Sequence, residues 1–298
     1  MPYPLEAVPN FSEGRNRGTI DAIGAALEEH ARLLDVHVDP DHNRSVFTLA
    51  GQAEEVVSAL VAGIGCARER IDLRRHEGAH PRVGAADVVP VVAVRPEDMV
   101  RARAAALELG GRVGRELGLP VFLYGEEGRG PAFIRRGGPE ELQRRLDKGE
   151  LAPDFGPVRL DPAAGAVLVG ARRPLIAFNV NLRSDDLAVA REIAAVVREA
   201  GGGFPGVRAL GFALPSRGIV QVSMNVEDPQ RAALHEVVAR VRAEATARGV
   251  EAGESELVGL LPAGAAVTAS REALGLPGLT ASHLLEPRLL DLDAPPDL

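Results

Sequence analysis

The order of the hydrophobic patterns along this chain constrains its fold more than any single motif does. A strand shows a short apolar run or strict alternation, whereas a helix shows apolar residues three or four positions apart. The first half has the order strand, helix, strand, strand, helix, strand. These segments are a strand near 5–9, a helix with Ile20, Ile23 and Leu27, strands at 33–38 and 46–49, a helix with Val56, Leu60 and Ile64, and a strand at 87–94.

The second half repeats this order without repeating the sequence. Its segments are a strand at 175–182, a helix opening at 184–186 with a capping serine, strands at 209–214 and 219–226, a helix opening at 228–229 that carries Leu234, Val237 and Val241, and a strand at 250–257. A further helix opening at Pro96 and a strand at 121–124 follow the first set. We therefore predict an α+β protein of two ferredoxin-like β-α-β-β-α-β sandwiches, 1–172 and 173–298, with a ligand cleft between them.

The connection between the two sets, 149–172, is rich in Pro, Gly and Ala. This composition predicts a loop that lies between the halves. A plain linker is one interpretation. A ligand-binding segment is the other, because clefts between domains are common ligand sites.

Composition disfavours several classes of function. The chain has 34 Lys and Arg against 42 Asp and Glu, a formal net charge of −8, which disfavours nucleic acids and anionic membranes as partners. It has neither an apolar run of membrane-spanning length nor a basic and apolar leader, so we expect a cytoplasmic protein. The one cysteine, Cys66, excludes an intramolecular disulfide framework. Because Lys148 is the only lysine, a fixed cation in a site would be arginine, which suits bidentate binding of carboxylates.

The segment 74–92, R-R-H-E-G-A-H-P-R-V-G-A-A-D-V-V-P-V-V, concentrates polar residues in front of an apolar strand. His76, Glu77 and His80 match H-E-x-x-H, which on a helix would bind zinc, so a zinc hydrolase is one hypothesis. The glycine inside this motif and the proline after it oppose a helix. We therefore favour a loop that puts His80 just outside the end of a sheet, without a metal.

This segment resembles the glutamate formimidoyltransferase family, also called glutamate formiminotransferases. H-E-G-A-H-P-R-V-G-A-A-D-V-V-P agrees with the family's H-x-G-x-H-P-R-x-G-A-x-D-V-x-P. Further segments agree in order and extend the resemblance from about residue 5 to 262. They are V-P-N-F-S-E-G at 8–14, N-R-S-V at 43–46, V-F-L-Y-G-E at 121–126, A-P-D-F-G-P at 152–157, G-A-R at 170–172, A-F-N-V-N-L at 177–182 and Q-V-S-M-N at 221–225.

The resemblance implies transfer of a formimidoyl group from N-formimidoyl-L-glutamate to N5 of tetrahydrofolate, the co-substrate. His80 matches the family's catalytic histidine, and histidine titrates in the range suited to a base that removes the N5 proton. Both substrates carry carboxylates, so Arg44 and Arg82 are candidate carboxylate ligands. For Arg44 a structural salt bridge is an equal alternative. The other residues expected to line the site are Asn10, Ser12 and Glu13.

The family's folate-binding segment corresponds, through its flanking matches, to 156–165. Its residues here are Gly156, Pro157, Val158, Arg159, Leu160, Asp161, Pro162, Ala163, Ala164 and Gly165. Animal members of the family carry a cyclodeaminase domain after the second set of elements. The remaining chain is too short to hold one, so we expect a stand-alone transferase, and we expect a homodimer.

One position departs from the family pattern. The strand before N-R-S-V reads Asp35-Val36-His37, whereas animal members have D-V-D. His37 either replaces the function of the second acid or indicates a different donor. The alternative functions are therefore formyl transfer between 5-formyltetrahydrofolate and glutamate, non-catalytic folate binding and, from the H-E-x-x-H match, zinc-dependent hydrolysis.

Overall fold

The computed structural model describes residues 2–78, 81–125 and 129–285. The chain divides into two compact units, Met1–Arg173 and Pro174–Leu298. Each unit contains its own β-sheet with helices, so the protein is of the α+β class. Among the described residues, no helix is both long and apolar enough to span a membrane.

The first unit is built on a seven-stranded sheet in the described part of the chain. Its strand order is β3-β4-β1/β2-β5-β7-β6, where β1 and β2 lie one after the other between β4 and β5. β7 runs parallel to β5 and β6, and the other pairs are antiparallel. The elements are β1 (Leu5–Ala7), β2 (Asn10–Phe11), α1 (Arg17–Glu28), β3 (Arg32–Asp39), β4 (Arg44–Gly51), α2 (Ala53–Arg70), β5 (Ala86–Val92), α3 (Met99–Arg112), β6 (Val121–Tyr124), α4 (Pro131–Arg135), α5 (Gly138–Asp147) and β7 (Val167–Arg172).

The two faces of this sheet have separate cores. Helices α1, α2 and α3 cover one face, where Val121 of β6 and Val167 of β7 are buried. Successive strand residues point to opposite faces, and Phe122 and Leu168 accordingly belong to a second core with residues of α4 and α5. The sheet is therefore covered on both faces at its β6 and β7 edge.

The second unit has a four-stranded sheet, again counted over the described residues. Its order is β11-β8-β10-β9, and all pairs are antiparallel. Val220, Val222 and Met224 of β10 are buried in the core, so the alternating residues beginning with Gln221 face the other way. The elements are β8 (Ile176–Leu182), α6 (Leu187–Val197), β9 (Val207–Leu214), β10 (Ile219–Val226), α7 (Leu234–Ala247), β11 (Ala252–Val258) and α8 (Ala263–Leu274).

The connection 149–172 corrects the sequence-based prediction of a loop between the halves. Its last six residues are β7, which is buried between β5 and β6 in the sheet of the first unit. The run Val167–Val169 is short and apolar, as a strand buried on both faces should be. Its neighbours in sequence are Pro, Gly and Ala, and this composition concealed the strand.

Two helix starts also differ from the prediction. Asp186 rather than Ser184 caps α6, because its carboxylate accepts a hydrogen bond from the backbone N–H of Ala188 (2.9 Å). The second helix begins at Leu234 rather than near Asp228. Both proposed starts lie in the turns just before the helices, where polar residues satisfy backbone groups.

The loop before β5 lies very close to the start of β7. Gly84 forms a β-bridge with Gly165, and a methyl group added to Gly84 would lie 1.9 Å from the carbonyl oxygen of Ala166. Ala85 donates its N–H to the carbonyl of Ala164 (2.8 Å). Glycine is therefore required at position 84 by the approach of two backbone segments.

Substituting Gly84→Ala tests this close approach. The added methyl forces the two segments apart, so we expect the free energy of unfolding, measured in urea, to be about 3 kcal/mol lower than in the unchanged protein. Gly65→Ala is the matched control, because Gly65 lies inside α2 and its added methyl meets only Leu117 at 3.5 Å. That change should raise stability by roughly 0.5–1 kcal/mol. A Gly84→Ala variant as stable as the unchanged protein would contradict the close approach of the two backbone segments.

Candidate active site

Three residues that the sequence singled out, Asn10, His37 and Arg44, can be assigned to one face of the first unit's sheet. Phe47 of β4 lies in the core beneath those helices, so Arg44 and Val46 point to the other face. Asn10 of β2 and His37 of β3 are both in register with Val46. Residues paired directly across antiparallel strands share a face. Asn10, His37 and Arg44 therefore lie on one surface.

A small solvent-open depression lies beside this surface. Its lining residues are Asn10, Phe11, Ser12, Asn43, Arg44, Arg82 and Asp87. Four of the five residues predicted to line the site are among them. The enclosed space is about 10 Å³, close to what one water molecule needs, so the depression is a polar surface and not a pocket for a whole substrate.

The N-terminal turn contributes Ser12 and Glu13 in different ways. The Ser12 hydroxyl is buried and donates to the carbonyl of Gly84 (2.8 Å), which ties the turn to the loop before β5. The Glu13 carboxylate accepts from the backbone N–H groups of Arg15 (2.8 Å) and Asn16 (2.9 Å). Ser12 thus anchors the turn at the depression, whereas Glu13 closes the turn before α1.

Arg44 points into the depression from the first residue of β4. Its guanidinium donates a short hydrogen bond to the side-chain oxygen of Asn10, a neutral partner. Burial is the main cause that lowers the pKa of Arg44 to about 10, and repulsion from Arg135 and Arg82 adds to it. Attraction to Asp87 acts in the opposite direction. The side chain therefore remains cationic at neutral pH, so it can bind an anion.

Arg82 belongs to the histidine loop, which is the segment 74–85 before β5, and it lines the depression. Its guanidinium contacts the His76 ring and donates to the carbonyl of His42 (3.3 Å). His76 Nε2 donates to the carbonyl of Asn43 (3.1 Å), which leaves Nδ1 as the acceptor for Arg82. Burial lowers the pKa of Arg82, and attraction to Asp87 opposes this effect.

Asn43 joins three segments around the depression. It is buried, and its φ of 47° is the left-handed value that Asn tolerates better than most residues. Its side-chain oxygen accepts from the N–H of Gly14 (2.8 Å), and its side-chain nitrogen donates to the carbonyl of Glu77 (2.9 Å). Together with the His76 contact, these bonds attach the N-terminal turn and the histidine loop to the β3–β4 turn.

Asp87 lines the depression and is almost fully buried. One carboxylate oxygen accepts from the N–H of Val83 (2.8 Å), and the other lies 2.5 Å from a terminal nitrogen of Arg135. The buried carboxylate is thus paired with a cation at the end of α4, as a buried charge requires.

The segment 156–165 lies against the histidine loop and has two parts. Gly156 through Arg159 are exposed, whereas Ala164 and Gly165 are buried. Asp161 closes a tight turn by accepting from the N–H groups of Ala163 and Ala164 (both 2.8 Å). The exposed part can meet a ligand, and the buried part attaches the segment to the loop before β5.

Two predictions depend on His80, which lies outside the described residues. Its role as a base therefore stays a prediction. Within the ranges described, no group of three or more His, Cys, Asp or Glu side chains could hold a metal ion. The zinc alternative includes His80, so the prediction of a site without a metal stays a prediction as well.

Sequence reasoning did not select three residues that the structure brings to the site. Asn43 and Asp87 lie inside the segments 43–46 and 74–92, so the segment matches were a signal for both. Asn before Arg at a predicted strand start was a second signal for Asn43, because Asn favours left-handed turns. Arg135 lies in R-R-G-G and had no such signal.

The fold and this depression define an α+β protein with an arginine-rich site on one sheet face. Residues 4–172 match the N-terminal subdomain of the formiminotransferase domain, and 177–273 match the formiminotransferase domain. The chain therefore belongs to the formiminotransferase family.

Several characterised proteins are similar over most of this chain. The glutamate formimidoyltransferase of Thermoplasma acidophilum is 40% identical, with 96% of this chain and 97% of that protein covered. The one from Streptococcus pyogenes is 38% identical, with 88% and 90% covered. The chain spans about half of the formimidoyltransferase-cyclodeaminase of Rattus norvegicus, with 42% identity, 88% of this chain and 51% of that protein. Among solved structures, a microcompartment protein from Desulfitobacterium hafniense has a TM-score of 0.24 at 12% identity, with 86% of this chain and 94% of that chain covered.

Replacing Asn43 separates the effect of its side chain from that of its backbone. Asn43→Gly keeps the left-handed conformation but removes both side-chain hydrogen bonds, so we expect a loss of about 1–3 kcal/mol in the free energy of unfolding. Asn43→Ala loses the same bonds and adds backbone strain, so its free energy of unfolding should be lower by a further ~1–2 kcal/mol. Urea unfolding of both variants measures this. An alanine variant as stable as the glycine variant would contradict the role of the backbone.

Proposed function

We propose that this protein transfers the formimidoyl group from N-formimidoyl-L-glutamate to N5 of tetrahydrofolate. Family membership supports the reaction, and the relatives similar over nearly their whole lengths are named glutamate formimidoyltransferases. The observation that carries the proposal for this site is the depression lined by Arg44 and Arg82. Two guanidinium groups suit a substrate that carries carboxylates.

We also propose that each unit is a variant of the ferredoxin-like sandwich. The second unit has four strands, β8 to β11, and their order across the sheet is β11-β8-β10-β9. Numbered along the chain, this is the order 4-1-3-2. In the first unit β5, β1/β2, β4 and β3 follow the same order, with β7 and β6 added beyond β5. The helices α1 and α2 pack on one face of this first set, as the sandwich requires.

Arg44 and Arg82 are the proposed carboxylate ligands. For Arg44, a salt bridge was the alternative to substrate binding. The hydrogen bond of its guanidinium goes to the neutral amide of Asn10, which supports binding of an external anion. A carboxylate in the depression would compensate the buried charge and accept bonds in the strong, charge-assisted class.

His80 is the proposed general base. In the reaction, N5 attacks the formimidoyl carbon, and the new carbon–nitrogen bond gives a tetrahedral adduct. His80 takes the proton from N5 and returns it to the glutamate nitrogen as the bond to that nitrogen breaks. The support is the sequence motif, together with the attachment of Glu77 and His76, just before His80, to Asn43 at the depression. Holding both reactants in place supplies the remaining rate enhancement.

The segment 156–165 is the proposed folate-binding segment. Its exposed residues, Gly156 to Arg159, are available to a ligand. Its buried end contacts the loop before β5 through Ala164 and Ala85. A folate bound along this segment would therefore lie on a rigid support that also carries Arg82. The cleft between the two sandwiches, the homodimer and the cytoplasmic location stay predictions.

A second candidate function is formyl transfer between 5-formyltetrahydrofolate and glutamate. The observation that favours testing it is the register of His37, which lies opposite Val46 on the face that carries Arg44. Animal relatives have a carboxylate at this position. An imidazole in its place changes the charge near the donor and adds a group that can donate a proton. Both reactions pair a folate with a glutamate, so the same pocket would serve both.

Turnover with each donor tests the proposed function. The purified full chain should convert N-formimidoyl-L-glutamate and tetrahydrofolate to glutamate and 5-formimidoyltetrahydrofolate, measured by chromatography with mass detection. We expect the rate to be unchanged by a chelator and elemental analysis to detect no stoichiometric zinc. Turnover only with 5-formyltetrahydrofolate would select the second function. Folate binding without turnover would indicate a binding protein, and activity lost with bound zinc would indicate the metal-dependent alternative.

His80→Ala tests the assignment of the base. The rate should fall roughly 10²- to 10⁴-fold, as expected for loss of a general base, with folate binding retained. His30→Ala is the matched control, because His30 is exposed at the end of α1 and should be neutral. Near-normal turnover of a folded His80→Ala protein would exclude this residue as the base.

A further inference from the structure

The strand β3 forms one edge of the seven-stranded sheet. Among the described residues it pairs with β4 alone, so a further strand can be added on its other side. It is eight residues long and contains no proline. An open edge of this length is a template for another chain, and soluble proteins usually block such edges. The edge of β3 therefore needs either a partner strand or a feature that keeps one away.

The features that commonly block an edge lie only near the two ends of β3. The register with β4 shifts by one residue at Leu34, which marks a bulge close to the start of the strand. Pro40 follows the last residue of the strand. The segment between them, Asp35–Asp39, pairs regularly with β4. The middle of the edge is therefore regular and open to a partner strand.

The edge also carries two exposed hydrophobic side chains. Leu34 and Val36 are 41% and 38% exposed. Val36 is in register with Phe47, so it points to the helix-covered face of the sheet. Single exposed hydrophobic residues are common on protein surfaces. Here, however, the two lie on an open strand edge, where a partner strand would cover them.

The other face of β3 carries ionisable groups in an order that is complementary to itself. Asp35 and His37 are in register with Thr48 and Val46, so both point to the face that carries Arg44. In an antiparallel pair related by a two-fold axis, one residue faces its own copy, and the residues on either side of it face each other in reverse order. Asp35 and His37 therefore decide which register two copies can adopt.

Three two-fold registers are centred on the regular part of the edge, and one of them pairs unlike groups. With Val36 at the centre, Asp35 of each copy faces His37 of the other. With Asp35 at the centre two aspartates meet, and with His37 at the centre Asp35 faces Asp39. A centre nearer the end of the strand brings Pro40, which has no N–H, into the ladder. Like charges directly opposite each other destabilise a strand pair, so the register centred on Val36 is favoured.

We propose that β3 is the dimerisation edge of this protein, where it pairs antiparallel with β3 of a second copy in the register centred on Val36. In this register the two Val36 side chains meet at the two-fold axis, and Leu34 faces Val38. On the opposite face, His37 donates a hydrogen bond to the carboxylate of Asp35 in the second copy. An imidazole has two ring nitrogens, so His37 can make this bond beside a contact within its own chain. The second copy thus adds a carboxylate to the face on which the candidate site lies.

Sedimentation velocity of the purified full chain over a concentration series tests this proposal through the dissociation constant of the dimer. His37→Asp puts two aspartates opposite each other at both symmetric pairs, so we expect the dimer to weaken roughly 10- to 100-fold. The double variant Asp35→His, His37→Asp exchanges the two partners. It should restore the dissociation constant to within about threefold, because the two changes are coupled across the interface.

Val36→Lys tests the centre of the register, because two lysines would meet at the two-fold axis. We expect this variant to weaken the dimer at least as much as His37→Asp. Val100→Lys is the matched control, since Val100 is 75% exposed on α3 and its replacement should leave the dimer unchanged.

Three results overturn the proposal. They are an unchanged protein that stays monomeric throughout the series, a dimer that Val36→Lys leaves unchanged, and a double variant as weak as His37→Asp alone. Val36 is partly exposed, so its lysine variant decides the outcome even if a change at His37 prevents folding.

Discussion

The hydrogen bonds of Asn43 determine how the first unit assembles its site. The buried side chain of Asn43 joins the turn after β2 to the segment that contains Glu77. The backbone carbonyl of Asn43 accepts a hydrogen bond from the His76 ring. These partners are 29 and 34 residues away from Asn43 in sequence. Because an unsatisfied buried amide is costly, all three segments adopt one arrangement together. The position of the histidine loop therefore depends on a hairpin turn outside it.

Burying the arginines of the site costs free energy, and a buried carboxylate nearby reduces this cost. The chain as a whole has a net charge of −8, yet the depression concentrates cations whose pKa values are lowered by burial. Asp87 is the internal counter-ion, and its second oxygen is fixed by the N–H of Val83. A site whose cationic groups are held in place before a ligand arrives is preorganised for an anion, since little reorganisation is needed on binding.

Glycine makes the approach between the histidine loop and the segment 156–165 possible. At Gly84 the two backbones are too close for any side chain. The Ser12 hydroxyl donates a hydrogen bond to the carbonyl of the same glycine. The N-terminal turn, the loop before β5 and the proposed folate segment thus meet at one residue. This junction explains why motifs that are far apart in sequence belong to one site.

Most of the fold and part of the site could be predicted from the sequence. Six elements of the second unit, from β8 to β11, were predicted because each has a strong hydrophobic period or a recognisable turn, whereas α8 was not. The strand Val167–Arg172 was not, because a short apolar run among Pro, Gly and Ala does not distinguish a buried parallel strand from a linker. Asn10, Ser12, Arg44 and Arg82 were selected as residue types suited to the chemistry. The sequence cannot indicate which of them meet in space.

The local properties of this protein were determined by its sequence: element types, the excess of acids over bases, arginine as the cation of the site, and family membership. Tertiary structure decided the rest. It decided that Asp87 pairs with Arg135, which is far from it in sequence, and that Glu13 closes a turn. It also decided that Asn43 bridges two loops. The physical reason is that burial and register depend on contacts between residues far apart in the chain, and no local pattern of hydrophobicity or charge encodes those distances.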